Sequence, residues 1–62
     1  MEKPIEISEK AAYGYGYALG YAKRFCDAQI YTEIKNNQLL FRSFSAGMMH
    51  GINEEIEDRK PF

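Results

Sequence analysis

The 62-residue sequence has one cysteine, one histidine and no tryptophan. Cys26 therefore has no partner for an internal disulfide, and a structural zinc site, which takes four nitrogen or sulfur ligands, has no ligand set. In chains below about 70 to 80 residues, a single core rarely supplies more than about 3 to 5 kcal/mol of stability, so such chains usually rely on a disulfide, a metal or a partner. The sequence therefore predicts association, either as a homo-oligomer or with a larger protein or macromolecular complex.

An excess of charge and a long apolar run are also lacking. Eight Lys and Arg against nine Asp and Glu give a net charge of −1, which argues against a free-standing nucleic-acid binder, because such proteins gain affinity by neutralising phosphates. The first apolar block, residues 11–22, is shorter than the roughly 20 residues of a membrane span, and the polar start is unlike a signal peptide. With the unpaired cysteine, these features predict a cytoplasmic protein that contacts no membrane.

Glycine and tyrosine, by contrast, recur at helical spacing in the first half. After an arm at residues 1–7, a helix is predicted for residues 8–26, and one alternative continues it to residue 35. Each glycine inside a helix costs about 1 kcal/mol relative to alanine, so glycines retained there indicate close packing. The four-residue spacing places small residues in a smooth strip beside an aromatic ridge.

The second half predicts another helix, at residues 38–59, with an apolar stripe and the same small-residue spacing. Residues 27–37 are ambiguous between a continued helix and a connector, and Asn36-Asn37 marks the clearest break. Two helices that each carry a strip of small residues can approach each other closely. The predicted fold is all-α: a two-helix hairpin in a single small domain, with glycine-mediated close packing, completed by dimerisation or by a partner.

Aromatic and large apolar side chains are the candidate contacts. Tyrosine is a favoured hot-spot residue but also fills cores, and the sequence leaves both interpretations open. The acidic cluster within residues 54–58 is expected to be a solvated face. The predicted partner-binding residues are Tyr13, Tyr17, Tyr21, Phe25, Phe44 and Met48. The predicted helix-packing residues are Ala12, Gly16, Gly20, Gly47 and Gly51.

No catalytic constellation is recognisable in the sequence. His50 has no serine or cysteine at a known family spacing, and the adjacent Glu54 and Glu55 point in different directions on a helix. The glycines lack the preceding strand and the Gly-Lys-Ser/Thr of a phosphate loop. We therefore expect no catalytic residue, no metal and no cofactor, and the chain is not expected to be an enzyme.

The spacing resembles that of the ribosome modulation factor family. The matching features are Ala12-x-x-x-Gly16-Tyr17-x-x-Gly20 in the first helix, Tyr31 in the connector and Phe44-x-x-Gly47-Met48 in the second helix. That family has two helices, with Gly-Tyr-x-x-Gly in the first and Trp-x-x-Gly-Trp in the second. Phe44 and Met48 stand at the two tryptophan positions. The resemblance implies a ribosome-associated hibernation or modulation factor that binds ribosomal RNA.

Two functional hypotheses follow. The first is a non-catalytic interaction protein that docks on a larger protein and regulates or inhibits it by occupying a surface. Small inhibitors encoded by phages and other mobile elements often have this size and acidity. The alternative, implied by the resemblance, is a ribosome-associated factor whose tyrosines stack on bases. Its phosphate contacts would come from Lys10, Lys23, Arg24, Arg42, Arg59 and Lys60.

Overall fold

The computed structural model describes residues 6–59, which form three α-helices: α1 (Glu9–Ala22), α2 (Ala28–Lys35) and α3 (Gln38–Arg59). The all-α prediction is confirmed for these residues, which contain no strand. The predicted arm at residues 1–7 lies mostly outside the described part of the chain. None of the helices described has the length and apolar character needed to cross a membrane.

Helix α1 begins within one residue of the predicted start and ends earlier than predicted. The Ser8 hydroxyl oxygen accepts a hydrogen bond of 3.0 Å from the Ala11 N–H at the N-terminus. The predicted helix to residue 26, or on to residue 35, does not match the structure, because Lys23 turns the chain in the left-handed conformation (φ 58°, ψ 32°). The Lys23 side chain donates to the Gly20 carbonyl over 3.1 Å, which satisfies a carbonyl of the last turn.

The ambiguous segment 27–37 contains helix α2. Asp27 caps its start by accepting from the Gln29 N–H over 2.8 Å, and Lys35 lies in its last turn. The predicted break at Asn36-Asn37 separates α2 from α3, and the Asn37 side chain caps α3 by accepting from the Leu39 N–H over 3.1 Å. The starts of α2 and α3 are therefore both set by side chains that are local in sequence.

The two long helices, α1 and α3, run parallel. Tyr13 contacts His50 and Tyr21 contacts Asp58, so the separation in sequence stays at 37 residues along the pair. Antiparallel helices, as in a hairpin, would instead show a separation that shrinks along α1. The predicted two-helix hairpin is thus corrected. The chain reverses direction after α1 and again after α2, and two reversals restore the original direction.

Glycines bring the backbones of α1 and α3 into direct contact. At four positions, an added Cβ would lie closer than 3.0 Å to a carbonyl oxygen of the other helix. The pairs are Gly16 with Phe44, Gly20 with Met48, Gly47 with Tyr13 and Gly51 with Tyr17. Since real Cβ atoms do not come so close to backbone, only glycine fits there. We call this contact, together with the fully buried Ala12, the glycine seam.

The hydrophobic core lies on one side of the glycine seam, where α2 packs. Ile34 of α2 is fully buried, and the Tyr31 ring meets the Phe44 ring edge-on at 5.8 Å. Phe44 is only 3% exposed, so it is a core residue rather than the free contact residue that the sequence predicts. The buried hydrophobic residues are Ala12, Ile34, Leu40 and Phe44, with Ile7, Tyr15, Leu19, Ile30 and Met48 packed against them.

Replacing glycine by alanine tests the glycine seam with a matched control in the same helix. Gly14 is exposed and has no atom within 4 Å of an added Cβ, so Gly14→Ala should stabilise the protein by up to about 1 kcal/mol through helix propensity. Gly16→Ala has the same propensity gain but forces the backbones apart, and should destabilise by about 1 to 3 kcal/mol. Urea unfolding followed by circular dichroism measures both. Equal stabilisation by the two variants would show that the helices do not touch at Gly16.

Candidate interaction surfaces

The structure distributes the predicted partner-binding residues over two surfaces. Tyr13, Tyr17 and Tyr21 lie along one side of the glycine seam, where they face α3 residues. Phe25 and Met48, with the buried Phe44, line a groove on the other side. Phe25, which the sequence groups with the three tyrosines as a partner-binding residue, lies apart from them because α1 ends at Ala22 and Phe25 belongs to the connector.

The first surface, here called the tyrosine face, is formed by two rows of side chains at four-residue spacing. The rows are Tyr13, Tyr17 and Tyr21 on α1, and His50, Glu54 and Asp58 on α3. Residues four apart lie on the same side of a helix. Because α1 and α3 are parallel, the two rows stay opposite each other along their whole length. In an antiparallel pair, Tyr13 would lie opposite Asp58 and Tyr21 opposite His50.

Hydrogen bonds and ring contacts join the two rows. The Tyr21 hydroxyl donates to the Asp58 carboxylate, and the Tyr13 hydroxyl is hydrogen-bonded to Nδ1 of His50. Nε2 of His50 lies 3.2 Å from Glu54 Oε1. A carboxylate only accepts, so these partners assign the proton of a neutral His50 ring to Nε2, which leaves Nδ1 to accept from Tyr13.

Tyr17 sits between these hydrogen-bonded pairs and contacts both through its ring. It stacks on Tyr21 with centroids 5.7 Å apart and planes 8° apart, and it meets the His50 ring edge-on at 5.4 Å. Such aromatic contacts add to the attraction from buried area. The tyrosine face is therefore an ordered arrangement of rings, hydroxyls and carboxylates although much of it is exposed.

The electrostatics of this face favour the neutral form of the Tyr17 and Tyr21 phenols. The hydrogen bond to Asp58, and then the charge of that carboxylate, raise the pKa of Tyr21 above its usual value of 10.0. Desolvation, followed by the negative charges of Glu54 and Asp58, raises the pKa of Tyr17. A phenol acting as a nucleophile needs the opposite shift. Chemically, the face offers neutral hydroxyls and carboxylates, which suit binding.

The second surface is an apolar groove of about 350 Å³ beside the core. Phe25, in the α1–α2 connector, is 83% exposed, and Tyr31 and Phe41 are 41% and 42% exposed. Cys26 is a half-buried free thiol at the same place. The residues that line the groove are Leu19, Phe25, Cys26, Tyr31, Phe41, Phe44, Ser45 and Met48. Large exposed apolar side chains grouped in this way are typical of a contact surface.

Sequence reasoning missed the three α3 residues of the tyrosine face as a set. The four-residue spacing of the three tyrosines recurs in His50, Glu54 and Asp58. This shared spacing predicts contact between the two rows only if the helices are known to be parallel. Within residues 6–59, no three His, Cys, Asp or Glu side chains are grouped so that they could hold a metal ion.

No model of a protein family, no curated protein and no solved structure matches this chain significantly.

Alkaline titration tests the Tyr21–Asp58 contact. A raised pKa in the folded state means that this contact stabilises the fold fully below pH 10.0, the ordinary pKa of tyrosine, and that the stabilisation is lost as pH rises through the higher folded value. In a spectrophotometric titration of tyrosinate, Asp58→Asn should move the latest-ionising tyrosine to lower pH. Tyr21→Phe should remove that component. An unchanged curve in Asp58→Asn would show that the carboxylate does not contact the phenol.

Proposed function

We propose that the protein is a non-catalytic interaction protein that docks on a basic surface of a larger protein through its tyrosine face and regulates or inhibits that protein by occupying the surface. The observation that carries this proposal is that the row of three tyrosines lies beside two carboxylates on one exposed side of the helix pair. Tyr21 is hydrogen-bonded to Asp58, and His50 contacts Glu54. The sequence predicts contacts for the aromatic residues and a solvated face for the acidic end of α3. In the structure they are adjacent.

The order of the tyrosine face supports a binding role. Tyrosine gives a large contact area with few rotatable bonds, and it is enriched among residues that dominate binding energy. Tyr17 is held between Tyr21 and His50, and Asp58 is held by the Tyr21 hydroxyl. Side chains that are already ordered lose less conformational entropy when a partner binds.

The charge of the face defines the partner. Glu54 and Asp58 carry negative charge, and Glu57 precedes Asp58 on the same helix. Carboxylates beside aromatic rings complement Lys and Arg side chains, which can pair with the former and stack on the latter. The same carboxylates repel phosphates, so this face is unsuited to RNA. The expected partner surface is therefore basic protein.

Affinity capture with point variants tests the proposal. Tyr17→Ala should weaken binding of the captured partner by about 1 to 3 kcal/mol, the range expected for a desolvated aromatic anchor. Asp58→Lys should weaken it by reversing a contact charge. Tyr31→Ala is the control, because it removes a tyrosine ring that is 41% exposed and lies on the apolar groove rather than on the tyrosine face. Circular dichroism checks that each variant is folded.

The outcome also decides between the two functional hypotheses. Capture that survives nuclease, is lost in Tyr17→Ala and Asp58→Lys and is kept in Tyr31→Ala supports docking through the tyrosine face. Binding that disappears with nuclease, falls steeply with salt and depends on Lys23, Arg24 and Arg42 would instead support the ribosome-associated role implied by the family resemblance.

A further inference from the structure

His50, the one histidine of the chain, begins the α3 row of the tyrosine face. Its side chain is 51% exposed, and that of Glu54 is 46% exposed. Nδ1 of His50 is hydrogen-bonded to Tyr13, Nε2 lies beside Glu54, and the ring meets the Tyr17 ring edge-on. Histidine is the side chain whose charge ordinarily changes between roughly pH 5 and 8. A change of charge at this position therefore acts on side chains of both rows.

The titratable groups that face His50 belong to the two long helices. Tyr13 and Tyr17 of α1 contact the ring with their phenol groups. Glu54 lies one turn farther along α3, and Asp58 lies two turns farther. Helix α2 packs on the opposite border of the glycine seam. The charges that the ring faces are therefore those of carboxylates, and a positive ring would offset the charge that a partner meets there.

Protonation of His50 reverses one hydrogen bond of the face. In the neutral ring, Nδ1 accepts from the Tyr13 hydroxyl and the Nε2 proton points to Glu54. A proton taken up from solvent binds at Nδ1, which then becomes a donor. The Tyr13 oxygen must now accept this hydrogen bond, and its own hydrogen turns away from the ring. Because Tyr13 is 36% exposed, its hydroxyl then offers solvent or a partner a donor in place of an acceptor.

Both consequences of protonation oppose a basic partner. The imidazolium pairs with Glu54, so Lys or Arg of the partner meets less negative charge. These side chains only donate, and they lose the acceptor that the Tyr13 oxygen provides. We propose that His50 is a pH switch of the tyrosine face, which binds a basic surface while the ring is neutral and binds it more weakly as pH falls and the ring takes up a proton. This switch rests on the docking role proposed above and assigns its regulation.

The hydrogen-bond reversal can be tested by NMR without a partner. Because the chain has one histidine, its imidazole nitrogen signals belong to His50. At about pH 8, where an ordinary histidine is neutral, the ¹⁵N shifts should show a proton on Nε2 and none on Nδ1. The Tyr13 ring signals, assigned by their absence in Tyr13→Phe, should move with the His50 titration as pH falls. A proton on Nδ1 of the neutral ring, or Tyr13 signals that do not follow His50, would overturn the switch.

Binding of a basic probe tests the effect on docking. Acetylated hexaarginine amide is suitable because its charge does not change in this pH range. At constant salt, wild-type protein should bind it about fivefold more weakly at about pH 5.5 than at about pH 8, the effect of one charge at an exposed contact. His50→Gln keeps an N–H donor and takes up no proton, so its change should stay below about twofold. His50→Lys, which is positive at both pH values, should bind weakly at both.

The outcomes separate failure of the switch from failure of docking. Every other titratable group is common to wild-type protein and His50→Gln, so a pH dependence that persists in His50→Gln would overturn the switch and leave docking intact. Wild-type protein that does not bind hexaarginine at about pH 8, or binding that is unchanged in Tyr17→Ala, would contradict the docking role and the switch with it. Circular dichroism at both pH values checks that each variant is folded.

Discussion

The contact between two glycine-bearing helix faces determines the arrangement of the rest of the chain. Gly16 and Gly20 of α1 and Gly47 and Gly51 of α3 each place backbone against a carbonyl oxygen of the other helix, at a separation that a Cβ atom would prevent. Glycine weakens a helix, so this contact offsets a cost of about 1 kcal/mol at each position. The close approach of the two backbones also holds side chains on both borders of the seam within reach of each other.

The parallel direction of α1 and α3 has two consequences. It requires a return segment, and α2 provides it while covering one side of the seam with Ile30 and Ile34. The parallel direction also keeps the tyrosine row of α1 opposite the His50 row of α3 on the other side of the glycine seam. Tyr13 therefore contacts His50, and Tyr21 contacts Asp58. The core and the tyrosine face therefore lie on opposite borders of the same contact. A disturbance of the seam would affect both.

Signals between residues that are close in sequence predicted much of the fold. Features that depend on contacts between distant residues were not predicted. Ser8 marked the start of α1 and the Asn36-Asn37 pair the start of α3, because capping depends on residues close in sequence. The glycine spacing correctly identified the surfaces that approach each other. The glycine spacing is the same in parallel and antiparallel helix pairs, so the relative direction of α1 and α3 was not predicted. The end of α1 was missed because lysine rarely adopts the left-handed conformation seen at residue 23.

A pair of distance measurements tests the parallel seam most directly. Glu9 and Arg42 line the same surface depression, whereas Arg59 lies about 25 Å farther along α3 at 1.5 Å per residue. Spin labels at cysteines replacing Glu9 and Arg42, or Glu9 and Arg59, in a Cys26→Ser chain diluted with unlabelled protein, report the distances within one chain. The parallel seam predicts a distance from position 9 that is clearly shorter to position 42 than to position 59. The reverse order would mean an antiparallel hairpin and would contradict the structure described here.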